Sequence, residues 1–247
     1  MIRLLPHFVF AGLLAAAVVV NAQVQPLRAL PVPSPAAAQD QQPELVDIRS
    51  VDPTIVVDLR YSGNRNIAGR PLYPSNMPAL VRPPVAAKLA LANSELATRN
   101  YRLKIWDAYR PKTAHDQLWR LYPMKDYVGN PNDGIGSLHT WGVAVDATLV
   151  DNIGREVQMP TEFDVFSPDA MLRYTGRDPV VAFHLHVLQR AMAHAGFFGM
   201  RTEWWHFVSR GWTQYKPINE VTLLVQQATP TPTPRPQTFG GSTASSR

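Results

Sequence analysis

The chain has no cysteine in its 247 residues. That excludes a disulfide framework, and it also excludes a lipid-modified cysteine behind an export signal. Nor is there a run of lysine or arginine: 24 basic and 19 acidic residues give a net charge of +5, with the basic ones scattered. A backbone-following basic patch is therefore missing, and no nucleic-acid partner is expected. The charge implies only a mild attraction to anionic surfaces. Apolar runs are short. The uncharged, mostly apolar stretch from Phe8 to Val20 falls below the ~20 residues that span a bilayer. No internal repeat is visible.

What the ends contain sets the domain plan. Arg3 precedes the apolar stretch and the small Ala22 follows it, the pattern of a cleaved secretory signal over residues 1–22. The protein is thus expected to be exported, periplasmic or secreted, with no stable membrane insertion after cleavage. The 23 prolines cluster at the two ends. Residues 23–44 are rich in Pro, Ala and Gln and read as a semi-extended linker, while residues 227–247 carry Thr-Pro repeats followed by Gly and Ser and read as a low-complexity tail. One folded domain, residues 45–226, remains. Without disulfides, its core must hold it, with a metal as the available additional tie.

Within that domain strands and helices alternate. Ile55 to Arg60 reads as a strand and Tyr61 to Pro78 as a polar loop. Pro83-Pro84 open a helix to about Thr98, because proline is tolerated in a first turn. Leu103 to Asp107 reads as a strand, and Pro111 starts a short helix with Leu118 and Leu121 on one side. Tyr122 to Gly136 is loop. A helix over Pro179 to Ala195 is predicted, with Phe183, Val187, Leu188 and Met192 as its apolar stripe and Gly196 behind it. His184, His186 and His194 on that helix have no accompanying carboxylate and read as exposed polar positions. A turn at Gly196–Gly199 then leads into an aromatic strand, Arg201 to Val208.

The chemistry centres on Ser137-Leu138-His139-Thr140-Trp141-Gly142-Val143-Ala144-Val145-Asp146. The β-branched residues at period two predict a strand after Gly142, with Gly142, Ala144 and Asp146 on one face. An imidazole and a carboxylate begin a zinc site, but a catalytic site needs three protein ligands and one open position. The plainer alternative is a satisfied core histidine and a turn-capping aspartate. His206, in Glu203-Trp204-Trp205-His206, supplies a third ligand type, and Glu203 an acid beside it. Such a set suits zinc best. Zinc lowers the pKa of its bound water to ~7, and an adjacent carboxylate takes the proton. Three residues apart on a regular strand, however, Glu203 and His206 face opposite ways. Both reach one metal only if the backbone kinks or Glu203 precedes the strand.

Ser-x-His-x-x-Gly-x-Ala-x-Asp followed by Glu-x-Trp-His resembles the zinc-dependent D-alanyl-D-alanine dipeptidase family, within the wider clan of D,D-carboxypeptidases. Trp106-Asp107-Ala108-Tyr109-Arg110-Pro111, Tyr61 with Asn66, and Thr161-x-Phe163-Asp164 extend the resemblance from about Asp58 to Phe207. One departure is Met159-Pro160-Thr161, where the family usually has Met-Gly-Thr. The resemblance implies one Zn2+ on His139, Asp146 and His206, with Glu203 as general base and acid and Arg110 stabilising the oxyanion. Ser137, Asp164 and Tyr61 would line the pocket for a small dipeptide substrate. It further implies an α+β fold, a small antiparallel sheet carrying the zinc site and flanked by helices. Each residue also has a plainer role: Arg110 in a salt bridge with Asp107, Asp164 and Ser137 as turn caps, Tyr61 in packing. Longer cell-wall peptides are the alternative substrates of a carboxypeptidase or endopeptidase. A zinc-stabilised binding module without turnover and a tethered structural protein of the envelope are the non-enzymatic alternatives.

Overall fold

The computed structural model describes residues 45–218. The expected signal, linker and tail, and the end of the catalytic domain past residue 218, lie outside those residues. In chain order the elements are β1 (Val46–Asp47), α1 (Ile48–Val51), β2 (Val56–Val57), β3 (Leu80–Val81), α2 (Pro83–Ala97), β4 (Tyr101–Asp107), α3 (Lys112–Leu121), β5 (Ala144–Asp151), α4 (Pro179–His194), β6 (Phe197–Met200) and β7 (Glu203–Ser209). The main sheet has the order β2-β4-β5-β7-β6, and β1 pairs with β3 in a second, two-stranded sheet. All neighbours are antiparallel except β2 and β4. The fold is α+β, as the sequence led us to expect. The parallel edge pair arises because the chain returns from β2 to β4 by way of a long loop, β3 and α2.

The helices are set by their first turns and by one buried amide. Pro83 and Pro84 open α2, and Pro179 opens α4 behind Asp178, whose carboxylate accepts from the Val180 and Val181 amides. On α2 the buried Asn93 accepts from the Leu103 amide of β4 at 2.8 Å and donates to Asp52 and Thr54. That ties the helix to the sheet it covers. α4 packs against α2, β5 and β6. Among the described residues no helix is long and apolar enough to cross a membrane.

Some expectations were displaced. Phe183 is 53% exposed, and the inward face of α4 is instead Val181, Leu185, Val187, Leu188, Ala191 and Met192. Leu121 is exposed at the end of α3, where His115 turns inward with Ala114 and Leu118. The first strand shrinks to two residues, since Arg60–Ser62 wind into a 3-10 turn. The segment after Gly196 is not a simple turn but β6, the edge strand beside β7.

Two interruptions of the sheet register bring the polar side chains together. Ile105 faces Ala147, but Asp107 faces Asp146, so Trp106 is an extra residue on β4. On an unbroken strand Asp107 would share the face of Ile105. The bulge instead sets it level with Asp146, which in turn pairs with His206 on β7. Three polar side chains thus stand in a row across β4, β5 and β7. The second interruption lies between β6 and β7: Gly199 faces Phe207, yet Met200 faces Glu203. The extra residues on β7 break the alternation between Glu203 and His206.

Candidate active site

His139 sits in a 3-10 turn, Leu138–Trp141, that leads into β5. Ser137 caps that turn, its hydroxyl accepting from the His139 amide at 3.4 Å. Gly142 ends it with φ 69°, a left-handed conformation, and a Cβ there would stand 2.5 Å from a Leu45 methyl. The left-handed backbone favours glycine there, while the Leu45 methyl could turn aside. The chain then enters β5 with Asp146 on the site face.

The histidine and aspartate predicted to act together do meet, and His206 joins them. One ligand atom each from His139, Asp146 and His206 lies within 4.8 Å of the others, and all three residues are buried. His139 Nε2 is 3.1 Å from His206 Nδ1 and 3.4 Å from Asp146 Oδ2, and His206 Nδ1 is 3.0 Å from Asp146 Oδ1. His139 Nδ1 lies 2.8 Å from the Ala108 carbonyl. A carbonyl only accepts, so Nδ1 carries the proton and the Nε2 lone pair faces the cluster. Two imidazole nitrogens and a carboxylate converging in this way are a donor set for a metal ion such as zinc. The histidines of α4 take no part: His184 contacts the Gln158 carbonyl and His194 contacts Glu95.

Electrostatics in the cluster follow from burial and from the single carboxylate. Burial pushes the His139 pKa down, but the Asp146 and Asp107 charges and the Asp146 contact together outweigh it and hold it above the usual value. Burial also works against ionised Asp146, and the two histidines outweigh it, so its carboxyl stays below the usual carboxylate range. For His206 burial prevails, and its pKa is lowered.

Glu203 begins β7 with its carboxylate 3.8 Å from His206 Nδ1. Of the two alternatives raised by the strand periodicity, Glu203 does not precede the strand but is its first residue, and the register break that follows it interrupts the alternation. Burial, then the charges of Asp146 and Asp164, push its pKa well above the usual value. A divalent cation at the neighbouring ligands opposes that shift.

Arg110 fills two descriptions at once. It forms the salt bridge with Asp107, Nε and Nη2 donating to Oδ2 at 3.0 and 2.8 Å, and it also lines the cavity beside the cluster, with Nη2 3.9 Å from Asp146 Oδ2. Its guanidinium lies over the Tyr61 ring, 4.9 Å from the centroid. Burial weakens the charge, but Asp107 and the other nearby acids hold its pKa well above the ordinary value. Asp107 itself is fully buried and accepts a further bond from the Tyr73 hydroxyl at 2.7 Å. Sequence reasoning treated Asp107 only as a salt-bridge partner. Its presence in the Asp-Ala-Tyr-Arg-Pro element was the available signal.

Asp164 stands at another wall of the same cavity, with φ 59°. Its Oδ2 accepts from the Ile67 amide at 3.0 Å and its Oδ1 from the Tyr61 hydroxyl at 3.3 Å. Burial, opposed by these donors and aided by the Asp146 charge, raises its pKa to about 7. The loop that delivers it is pinned by Thr161, whose hydroxyl accepts from Trp204 Nε1 at 2.9 Å, and by Phe163, packed among Tyr61, Trp106 and Trp205. Met159-Pro160-Thr161 therefore still anchors the loop. The loop opposite is ordered by Asn66, whose amide donates to the Arg60 and Gly63 carbonyls.

The cavity measures about 310 Å3 and is lined by His139, Asp146, His206, Glu203, Arg110, Asp164, Tyr61 and Ser137 together. Every residue assigned a ligand, catalytic or substrate-binding role from the sequence thus borders one space, at the small end of ligand pockets.

Comparison with known proteins bears on the same residues. Residues 41–223 match the model of the M15 peptidase family described as D-ala-D-ala dipeptidase. The D-alanyl-D-alanine dipeptidase of Escherichia coli (strain K12) is 32% identical over 164 residues, 66% of this chain and 83% of that protein. That of Enterococcus faecium is 28% identical over 176 residues, 62% of this chain and 85% of that protein. The crystal structure of the vancomycin-resistance D,D-dipeptidase VanXYg in complex with a D-Ala-D-Ala phosphinate analogue aligns over 75% of this chain and 71% of that chain, at 17% identity and a TM-score of 0.32. The family match extends over most of the chain and includes the triad, both acids and Arg110, and the chain belongs to the D-ala-D-ala dipeptidase family of peptidases.

Proposed function

We propose that the protein is a zinc-dependent dipeptidase that hydrolyses D-Ala-D-Ala to two D-alanines. One observation carries this reading. A three-ligand cluster, a buried acid, a fixed guanidinium and a second buried carboxylate all line one cavity of about 310 Å3. A site for a long peptide has no need of a buried carboxylate at its far wall, whereas a free dipeptide brings an ammonium that requires one.

His139 through Nε2, Asp146 through its carboxylate and His206 through Nδ1 would hold the ion. Bound there, zinc supplies Lewis acidity and a water of pKa ~7. The remaining steps belong to the protein. Glu203 accepts the proton of the attacking water and returns it to the leaving amine. Arg110 keeps its charge at any working pH and faces the oxygen on which negative charge develops, a contribution on the order of 3 kcal/mol. Asp107 and the Tyr61 ring fix the guanidinium plane before substrate arrives. Asp164 meets the substrate ammonium, which returns its pKa toward the carboxylate range, and the Ile67 amide and Tyr61 hydroxyl hold it in place. Ser137 orients the His139 turn and lines the pocket.

Metal content and substrate length test this together. The purified protein should hold one zinc per chain, and changing His139, Asp146 or His206 to Ala should remove metal and activity. D-Ala-D-Ala should be hydrolysed at least ~100-fold better in kcat/KM than its amino-acetylated form, a gap of about 2.7 kcal/mol. Acetylation replaces the ammonium with an amide and leaves Asp164 without its counter-charge. Equal rates on the two would reject the dipeptidase in favour of a carboxypeptidase acting on wall peptides. Zinc without turnover of either would leave a binding module. The proposal includes export directed by residues 1–22, checked by cell fractionation of the full chain.

A further inference from the structure

α3 presents a histidine that none of the assigned roles uses. His115 is 1% exposed, one turn before Leu118 on the inward side of the helix. Its Nε2 lies 2.8 Å from the Gly129 carbonyl and its Nδ1 lies 3.4 Å from Arg110 Nη1. The carbonyl can only accept, so Nε2 carries the proton. Nδ1 is then left as an acceptor, and a guanidinium can only donate. The two contacts therefore demand the same neutral tautomer. Burial first, then the charges of Arg110 and His139, lower the His115 pKa to about 4, against the Gly129 bond and Asp116, which raise it.

The guanidinium has five N–H bonds. Nε and one bond of Nη2 go to Asp107, and one bond of Nη1 goes to His115. One N–H on each terminal nitrogen remains, on a side chain that lines the cavity. The other end of the imidazole reaches a tight loop. A Cβ on Gly129 would stand 2.6 Å from the Gly136 carbonyl, so the two glycines bring Gly129 against the residue before Ser137, the cap of the His139 turn.

We infer that His115 is a positioning residue for hydrolysis: its neutral Nδ1 fixes the orientation of Arg110 while its Nε2 ties that arginine to the loop bordering the substrate cavity. The inference rests on the oxyanion role proposed for Arg110. Its weight should fall on kcat, because an oxyanion exists only in the transition state.

Three variants separate positioning from filling space. His115→Leu removes both contacts. His115→Asn keeps an acceptor where Nδ1 stood and gives up Gly129. His115→Gln reaches Gly129 and places no acceptor at Nδ1. With zinc content matched, kcat on D-Ala-D-Ala should fall about 10-fold in the Leu and Gln variants with KM changed less than about threefold, and Asn should recover most of the loss. Equal losses in Asn and Gln, or losses carried by KM, would overturn the inference. Should the Leu variant not fold, the Asn and Gln pair decides alone. A second readout needs no activity: in the 15N spectrum of the metal-loaded protein, the signal missing from His115→Asn should report a neutral Nε2–H ring from pH 5 to 8. An Nδ1–H ring, or titration near 6.5, would overturn the inference. If the unmodified protein releases no D-alanine, the proposed function fails, and the 15N spectrum still decides the state of His115.

Discussion

Asp164→Asn should stabilise the protein and disable it at once. In the folded protein Asp164 has its pKa raised from an ordinary 3.8 to about 7, chiefly by burial. Below pH 3.8 the carboxyl is protonated in both folded and unfolded chains and contributes no difference. Between 3.8 and 7 the unfolded chain releases the proton and the folded one retains it, so stability falls as pH rises. Above 7 the folded state carries a buried charge at a cost of about 4 kcal/mol, at about 1.36 kcal/mol per pKa unit. Asparagine is close in shape and never ionises. It can accept from the Ile67 amide and donate to the Tyr61 oxygen, so both existing contacts have replacements. The stability advantage of the variant should therefore widen by about 2 kcal/mol between pH 5.5 and pH 8.5. Measuring the change with pH cancels any constant cost of the amide. Urea unfolding at a series of pH values, with chelator-treated and zinc-loaded protein in parallel, reads this directly. A bound ion neutralises Asp146, a lesser contributor to the shift, so the zinc-loaded gap should be smaller and of the same sign. A gap that is flat or narrows with rising pH would refute the assignment of Asp164 as a buried, strained acid. The same variant should hydrolyse D-Ala-D-Ala more slowly, as expected where a site stores instability for function.

Glu203→Gln should leave zinc bound while kcat falls by on the order of 10² or more, the usual weight of a positioned proton-transfer group; metal analysis beside single-turnover kinetics checks it, and loss of zinc would make the residue a ligand or its support. Asp107→Asn should destabilise the folded protein by about 3 kcal/mol in chemical denaturation, because it leaves the buried Arg110 charge without its carboxylate, and an unchanged unfolding midpoint would show that Asp146 suffices as partner.

Much of the site was legible because its chemistry is local. His139, Gly142 and Asp146 fall within one turn-and-strand passage, and the alternation of small and β-branched residues put Asp146 on the face that the structure uses. Helix starts at Pro83 and Pro179 were equally plain, since proline in a first turn needs no tertiary help. Phe183 misled because an apolar stripe does not say which of two adjacent faces of a helix meets the sheet. His115 went unnoticed because a lone histidine on a polar helix looks solvated until its neighbours in space are known.

The sequence alone determined which groups are available: two imidazoles, a short carboxylate for the cluster, a longer one near it, and a permanently charged guanidinium after a strand. It also determined that no disulfide could hold them. Which groups face one another was decided only by tertiary structure. An unbroken β4 would turn Asp107 away from Asp146, and an unbroken β7 would put Glu203 and His206 on opposite sides of the sheet. Two register breaks reverse both outcomes. A bulge is fixed by how a strand pairs with its neighbours rather than by its own residues, so a one-dimensional pattern of period two could state the conflict between Glu203 and His206 but not resolve it.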